Sequence, residues 1–302
     1  MLNVGSGKHD VAEVRREIEA SLTGAGRSFS LHEVESPDRL AQTAELAVEE
    51  ARRSGGVVVA AGGDGTINVV AEATLGSGCA FGVLPLGTFN YFSRAHGIPS
   101  NVTEACRILT ESPTLQVQVG LVNDHVFLVN ASIGLYPQLL EEREQAKARL
   151  GRSRVVAFMA GLRTLFKFQR KLLLDIESER GKRTIVTKTL FVGNNRLQLE
   201  RVGIAESEQV EHHKLAVVAL KPVGVLGMLG VLARAILGRL GEAAPITSFA
   251  LESLVVRSRM GQRRLKVATD GEVMHLATPL RFRVAPHPLL LLRPAERRED
   301  PG

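Results

Sequence analysis

The sequence has little cysteine and no apolar run of membrane-spanning length. Only Cys79 and Cys106 occur among its 302 residues. Both sit among apolar neighbours, too few for a disulfide framework, so a reducing, cytoplasmic setting is expected. The apolar run Pro222 to Ala233 is too short to cross a bilayer, and the opening residues MLNVGSGKHD carry no apolar signal region. Membrane contact, if any, is therefore expected to be peripheral, on the inner face. No internal repeat is visible. Basic residues number 38 against 32 acidic, and the resulting charge of +6 suits phosphate groups, an anionic membrane or nucleic acid without choosing among them. A hydrophobic content of 44% over this length is ample for two packed domains.

The most informative stretch is VVVAAGGDGTINVVAEA, residues 57 to 73. Val57 to Ala61 have the size and composition of a buried strand, and Thr66 to Ala73 repeat apolar side chains at helical spacing. The stretch therefore reads as strand, tight turn and helix. It lies in an alternating pattern running from residue 10 to about 112. Val11, Val14, Ile18 and Leu22 have helical spacing, SFSLHEV is extended, Leu40 to Ala51 is helical, AFGVLPLGT is a strand with a glycine turn, and Val102 to Leu109 is helical after the cap residue Asn101. Such alternation means an α/β domain, assigned to residues 1–114. From LQVQVGLVNDHVFLVNAS onward polar and apolar residues alternate around an Asn-Asp pair that can turn a hairpin. Further strands are expected at 171–177, 184–192, 214–220, 251–257, 264–268 and 279–284, with helical runs near 138–150, 155–170 and 223–240. Residues 115–293 are thus read as a mainly β domain, and 294–302 as a disordered tail.

A helix that starts after a strand presents backbone N–H groups and partial positive charge at its N-terminus, a place for phosphate. Gly62, Gly63 and Gly65 remove side chains that would hold a nucleotide away, and Thr66 can donate its hydroxyl or cap the helix. Asp64 would repel phosphate unless a cation intervenes, so magnesium, held directly or through water, is the economical reading. A purely structural turn is the alternative. LPLGTFNYF, residues 84–92, repeats the arrangement, so Gly87, Thr88 and Asn90 can face the same ligand. NVGSGK offers Asn3, Ser6, Gly7 and Lys8, although it is not a Walker A motif. Asp270 and Glu272 flank Gly271 in LKVATDGEVMHL and can take a proton from a hydroxyl nucleophile, an ordinary hairpin turn being the alternative.

Taken together, NVGSGK (3–8), GGDGTIN (62–68), LPLGTFN (84–90) and DGE (270–272) resemble the diacylglycerol kinase catalytic family, which includes bacterial lipid kinases and the sphingosine kinases. VNASIGLYPQLLEEREQAKARLGRS (129–153) and LFVGNN (190–195) add to the likeness and extend it over most of the chain. The resemblance implies an α/β nucleotide-binding domain related to that of phosphofructokinase, a C-terminal β-sandwich, and an active site in the cleft between. It implies ATP against Asn3 to Gly7, Gly62 to Asn68 and Thr88, with Mg2+. Glu272 would be the proton acceptor and Asp270 its neighbour. The implied reaction transfers the γ-phosphate to a hydroxyl of a diacylglycerol-like lipid at a membrane surface. Nucleic acid is not an expected partner, and a homodimer is left open.

Some residues depart from the pattern of that family. Tyr91 and Gln118 stand where many relatives carry aspartate, and the segment EHHKL puts His212 and His213 where a structural magnesium would be held, so no magnesium is expected there. The first strand is short, Met1 to Val4, which a start placed too late would explain. These departures keep open a nucleotide- or lipid-binding protein of the same fold with weak or no turnover. A kinase for a soluble substrate such as NAD is a third reading, against which the pairing of LPLGTFN with DGE argues. Three further features have ordinary structural readings. Arg163, Lys167, Arg170 and Lys171 line one face of an amphipathic helix, read as packing its apolar face on the second domain, contact with anionic lipid being the alternative. PVGVLGMLGVLARAIL is read as an ordinary buried helix, and the adjacent histidines as solvated.

Overall fold

The computed structural model describes residues 1–5, 10–141, 171–210 and 212–295. They divide into two compact units, residues 1–119 with the segment from Ala285 onward, and residues 120–284.

The first unit is built on a sheet containing β1 (Leu2–Asn3), β2 (Glu33–Val34), β3 (Val57–Gly62), β4 (Ala80–Pro85) and β5 (Thr114–Val117). Strand order is β2-β1-β3-β4, then the C-terminal strand Leu289–Leu292, then β5. The first five run parallel and β5 is antiparallel to its neighbour. Helices α1 (Val11–Gly24), α2 (Leu40–Ser54), α3 (Asp64–Thr74), α4 (Tyr91–Ala95) and α5 (Val102–Glu111) accompany it. Local chemistry sets their limits. Asp10 caps α1 by accepting the Ala12 N–H at 2.9 Å, and Asn101 caps α5 by accepting from Glu104 at 2.9 Å. Gly55, in the left-handed region at φ 64°, stops α2. In β3, Val58, Ala60 and Ala61 are buried, whereas Val57 lies at the exposed start.

The domain limits read from sequence change at both ends. Thr114–Val117 and Leu289–Leu292 pair with each other in the first sheet rather than in the second domain. A run of four leucines has no periodicity to declare its partner, and the pairing joins residues far apart in sequence. Of the expected tail, residues 296–302 lie outside the described residues.

The second unit holds two six-stranded antiparallel sheets. One contains β6 (Gly120–Val122), β7 (His125–Phe127), β9 (Leu172–Ser178), β10 (Gly181–Thr187), β14 (Ser253–Ser258) and β17 (Leu280–Val284). The other contains β8 (Asn130–Gly134), β11 (Thr189–Gly193), β12 (Leu215–Leu220), β13 (Ile246–Leu251), β15 (Arg264–Thr269) and β16 (Glu272–Ala277). Their orders are β10-β9-β14-β17-β6-β7 and β13-β12-β11-β8-β15-β16. The inner faces share one core, with Phe127, Ile176, Val256 and Phe282 from the first sheet against Ile133, Leu190, Val217 and Val267 from the second. This is the mainly β domain expected, with the Asn123–Asp124 hairpin joining β6 to β7.

The single strand expected at 184–192 is two, β10 and β11, one in each sheet. Thr187 fixes the crossing by donating its hydroxyl to the carbonyls of Thr189 and Leu220 at 2.6 and 2.7 Å. Residues 135–141 are helical, as expected for the start of that run, while the helix expected at 155–170 lies outside the described residues. Among the described residues no helix is long and apolar enough to cross a membrane. Cys79 and Cys106 are both free and buried.

A half-buried imidazole, His96, is expected to give the first unit a pH response. His96 lies edge-on to Phe92, ring centres 4.6 Å apart. Burial, aided by the charge of Arg293, pushes its pKa from 6.5 down to about 3. A folded-state pKa below the unfolded one means that stability is full above about pH 6.5 and is lost as pH falls toward 3. The slope approaches about 1.4 kcal/mol per pH unit. Urea midpoints should therefore drop on acidification, and less steeply for His96→Asn. Equal slopes for the two proteins would remove His96 as the cause.

Candidate active site

Both glycine turns follow parallel strands of the first unit, and they touch. The Leu86 N–H donates to the Gly62 carbonyl at 2.8 Å. A side chain on Gly87 would put its Cβ 2.8 Å from the Gly63 Cα and 2.7 Å from Asn90 Oδ1. Backbone therefore meets backbone at a separation only glycine allows. Gly62 serves a different end, because a Cβ there would stand 2.6 Å from the Thr66 side chain. That space lets Thr66 turn inward, where its buried hydroxyl accepts from Asn3 Nδ2 at 2.8 Å. Asn3 Oδ1 in turn accepts the Gly5 N–H at 3.0 Å. Asn3 and Thr66 thus tie the turn after β1 to the start of α3.

Gly63 precedes α3 in an extended conformation and gives no side-chain cap, and while the Asp64 N–H leans on its own carboxylate, those of Gly65 and Thr66 carry the helix's positive end. This fits a bound polyphosphate. Thr88 is exposed beside it, and Asn68 is half-buried one turn along α3. Gly87→Ala is expected to lower the melting temperature of the first unit by several degrees, in keeping with about 1–3 kcal/mol of overpacking. It should also abolish nucleotide binding measured by calorimetry. Unchanged binding would disconnect the contact between the turns from the ligand.

Two residues expected to face the ligand are anchored to the backbone. Asp64 Oδ2 accepts the Asn90 N–H at 2.9 Å, and the N–H groups of Tyr91 and Phe92 also favour its charged form. Burial outweighs them and holds its pKa above the usual carboxylate range. Asp64 thereby caps α4 from another segment of the chain, which sequence spacing could not reveal. Its Oδ1 is buried away from solvent, and among the described residues no group of three His, Cys, Asp or Glu side chains could hold a metal. Asn90, at φ 49°, is buried and donates from Nδ2 to the Gly87 carbonyl at 3.0 Å, so it shapes the turn. Tyr91, the departure from the family pattern, stacks on the exposed Phe89 with ring centres 5.9 Å apart. The sequence reading missed that pair, although two aromatics one residue apart at a turn were the available signal. Ser6, Gly7 and Lys8 lie outside the described residues.

In the second unit Asp270 and Gly271 form the two-residue turn of the β15–β16 hairpin, with Thr269 opposite Glu272 and φ values of 49° and 96°. Asp270 Oδ2 accepts from Leu128 at 2.7 Å, and Oδ1 from Val129 and Asn130 at 2.9 and 2.8 Å. It forms a structural clamp across the entry to β8. Glu272 is exposed at the first position of β16. His212 and His213 are exposed, as expected of solvated residues.

Residues 1–122 match the diacylglycerol kinase catalytic domain family, so the likeness read from the motifs is shown over that stretch. The chain is 37% identical over 115 residues to "Probable lipid kinase YegS" of Salmonella typhimurium, a match covering 36% of this chain and 38% of that protein. It is also 37% identical over 95 residues to an uncharacterized protein of Synechocystis sp., covering 31% of this chain and 22% of that one. The matched part is thus well under the full length of these curated relatives. A crystal structure of a diacylglycerol kinase from Bacillus anthracis str. Sterne aligns with 97% of this chain and 94% of its own at TM-score 0.69 and 17% identity. A second structure from that organism aligns at TM-score 0.74 and 19% identity, over 97% of this chain and 95% of that one. At these identities the structural likeness establishes the fold alone.

Proposed function

We propose that this protein is an ATP-dependent lipid kinase transferring the γ-phosphate to a hydroxyl of a diacylglycerol-like lipid, with its nucleotide domain related to that of phosphofructokinase. The observation that carries the reading is the Gly63–Gly87 contact inside a region matched to the diacylglycerol kinase catalytic domain. Two close glycine turns and the uncapped α3 N-terminus offer backbone dipoles to phosphate oxygens. In this reading Gly63, Gly65, Gly87 and Thr88 line the polyphosphate, while Asn3, Thr66, Asp64 and Asn90 hold the lining in place. Magnesium would be carried by the nucleotide's phosphates and would supply neutralisation of their charge. As the alcohol oxygen bonds to the γ-phosphorus, the bond to the ADP oxygen breaks. The hydroxyl proton passes to the Glu272 carboxylate.

Labelled ATP incubated with the full chain and a panel of lipids should yield a labelled phospholipid. A second reading, a nucleotide- or lipid-binding protein with weak or no turnover, is favoured by one observation. Of the three candidate carboxylates, Asp64 and Asp270 are committed to backbone N–H groups. ATP binding without transfer to any lipid would select it.

A further inference from the structure

The helix Val225–Ile236 is apolar on two faces. Met228 and Val231 are buried against Leu135, Leu220 and Ala243, which accounts for half of the helix. On the outer side Leu226 and Ile236 are each 85% exposed, and the following Leu237 is 70% exposed. Leu229 and Leu232 extend the patch at 42% and 40%. Five of the eleven exposed large apolar side chains among the described residues thus fall within twelve positions. The buried helix expected from the sequence is therefore only half buried, because apolar content alone does not say which face meets the core. Contiguous apolar surface of this kind marks an interaction site.

The surrounding charge selects the occupant. Lys221 to Glu242 contains Lys221, Arg234 and Arg239 and one acidic residue, Glu242, which pairs with Arg239 at 2.6 Å, so Lys221 and Arg234 carry the excess positive charge. The core cluster that seats this helix includes Leu135, which also lines a cavity of about 250 Å³ whose wall carries Lys171, Arg264 and Lys266. Lys266 is paired with Glu141 at 2.6 Å, and Arg264 donates to the His275 carbonyl at 2.7 Å. An apolar ridge flanked by cations matches the surface of an anionic bilayer. A second copy of the chain fits less well, since a two-fold contact would press the same cations together.

We propose that the outer face of Val225–Ile236 is the surface by which this protein docks on an anionic lipid bilayer, inserting Leu226, Leu229 and Ile236 below the headgroups. The choice of a bilayer as occupant rests on the lipid-kinase reading. Sedimentation of the full chain with vesicles of equal parts phosphatidylglycerol and phosphatidylcholine should show binding that weakens in high salt and is absent on pure phosphatidylcholine. The double variant Leu226→Ser/Ile236→Ser should bind roughly tenfold or more weakly, because two inserted chains are lost. Its melting temperature and its transfer to a short-chain soluble acceptor should be unchanged. Vesicle binding equal to wild type would overturn the proposal, as would a wild-type dimer in gel filtration that the variant dissolves. If no lipid is ever phosphorylated but the vesicle difference persists, the kinase reading falls and the docking surface stands.

Discussion

Asp270→Ala is expected to destabilise the second unit by about 4 kcal/mol or more, seen as a large drop in its urea midpoint. The change strips the acceptor from three N–H groups, on Leu128, Val129 and Asn130, whose residues are all at least 96% buried. An orphaned buried donor costs about 1–3 kcal/mol, and the Asp270 φ of 49° adds strain for alanine. Asp270→Asn should lose about half as much, because asparagine tolerates the left-handed region and keeps one oxygen to accept. A midpoint unchanged in the alanine variant would mean that the clamp carries no stability and that Asp270 is free for chemistry.

Glu272→Gln should do the opposite. The carboxylate is exposed at a strand end, and the amide has the same shape, so stability should stay within about 0.5 kcal/mol of wild type. Lipid phosphorylation should fall by roughly 100-fold or more, the ordinary contribution of a positioned base. Nucleotide binding should be unaffected, since only the proton acceptor is removed. Undiminished transfer would exclude Glu272 from the reaction. Together the two variants separate neighbouring carboxylates that a motif treats as a pair.

That separation shows how far the sequence could be read. The turns at Gly62–Thr66 and Gly87–Asn90 were legible because glycine after a buried strand has few other uses, and Asn101 because a cap acts within one helical turn. The Asn123–Asp124 hairpin was legible for the same local reason. The partners of Asp64 and Asp270 were not, since each carboxylate reaches backbone N–H groups from 26 to 142 positions away. The strand Leu289–Leu292 and the crossing at Thr187 were hidden likewise, because an apolar run signals burial without naming its neighbour.

By itself, then, the sequence determined the alternation of strand and helix and the glycine corners. These depend on backbone freedom and side-chain periodicity within a few residues. The tertiary structure alone decided that the C-terminal strand completes the first sheet, that Asp64 and Asp270 are clamps, and that one helix keeps an apolar face in the open. Those outcomes depend on which distant backbone groups and surfaces remain to be satisfied once the chain has packed, and no local pattern encodes that.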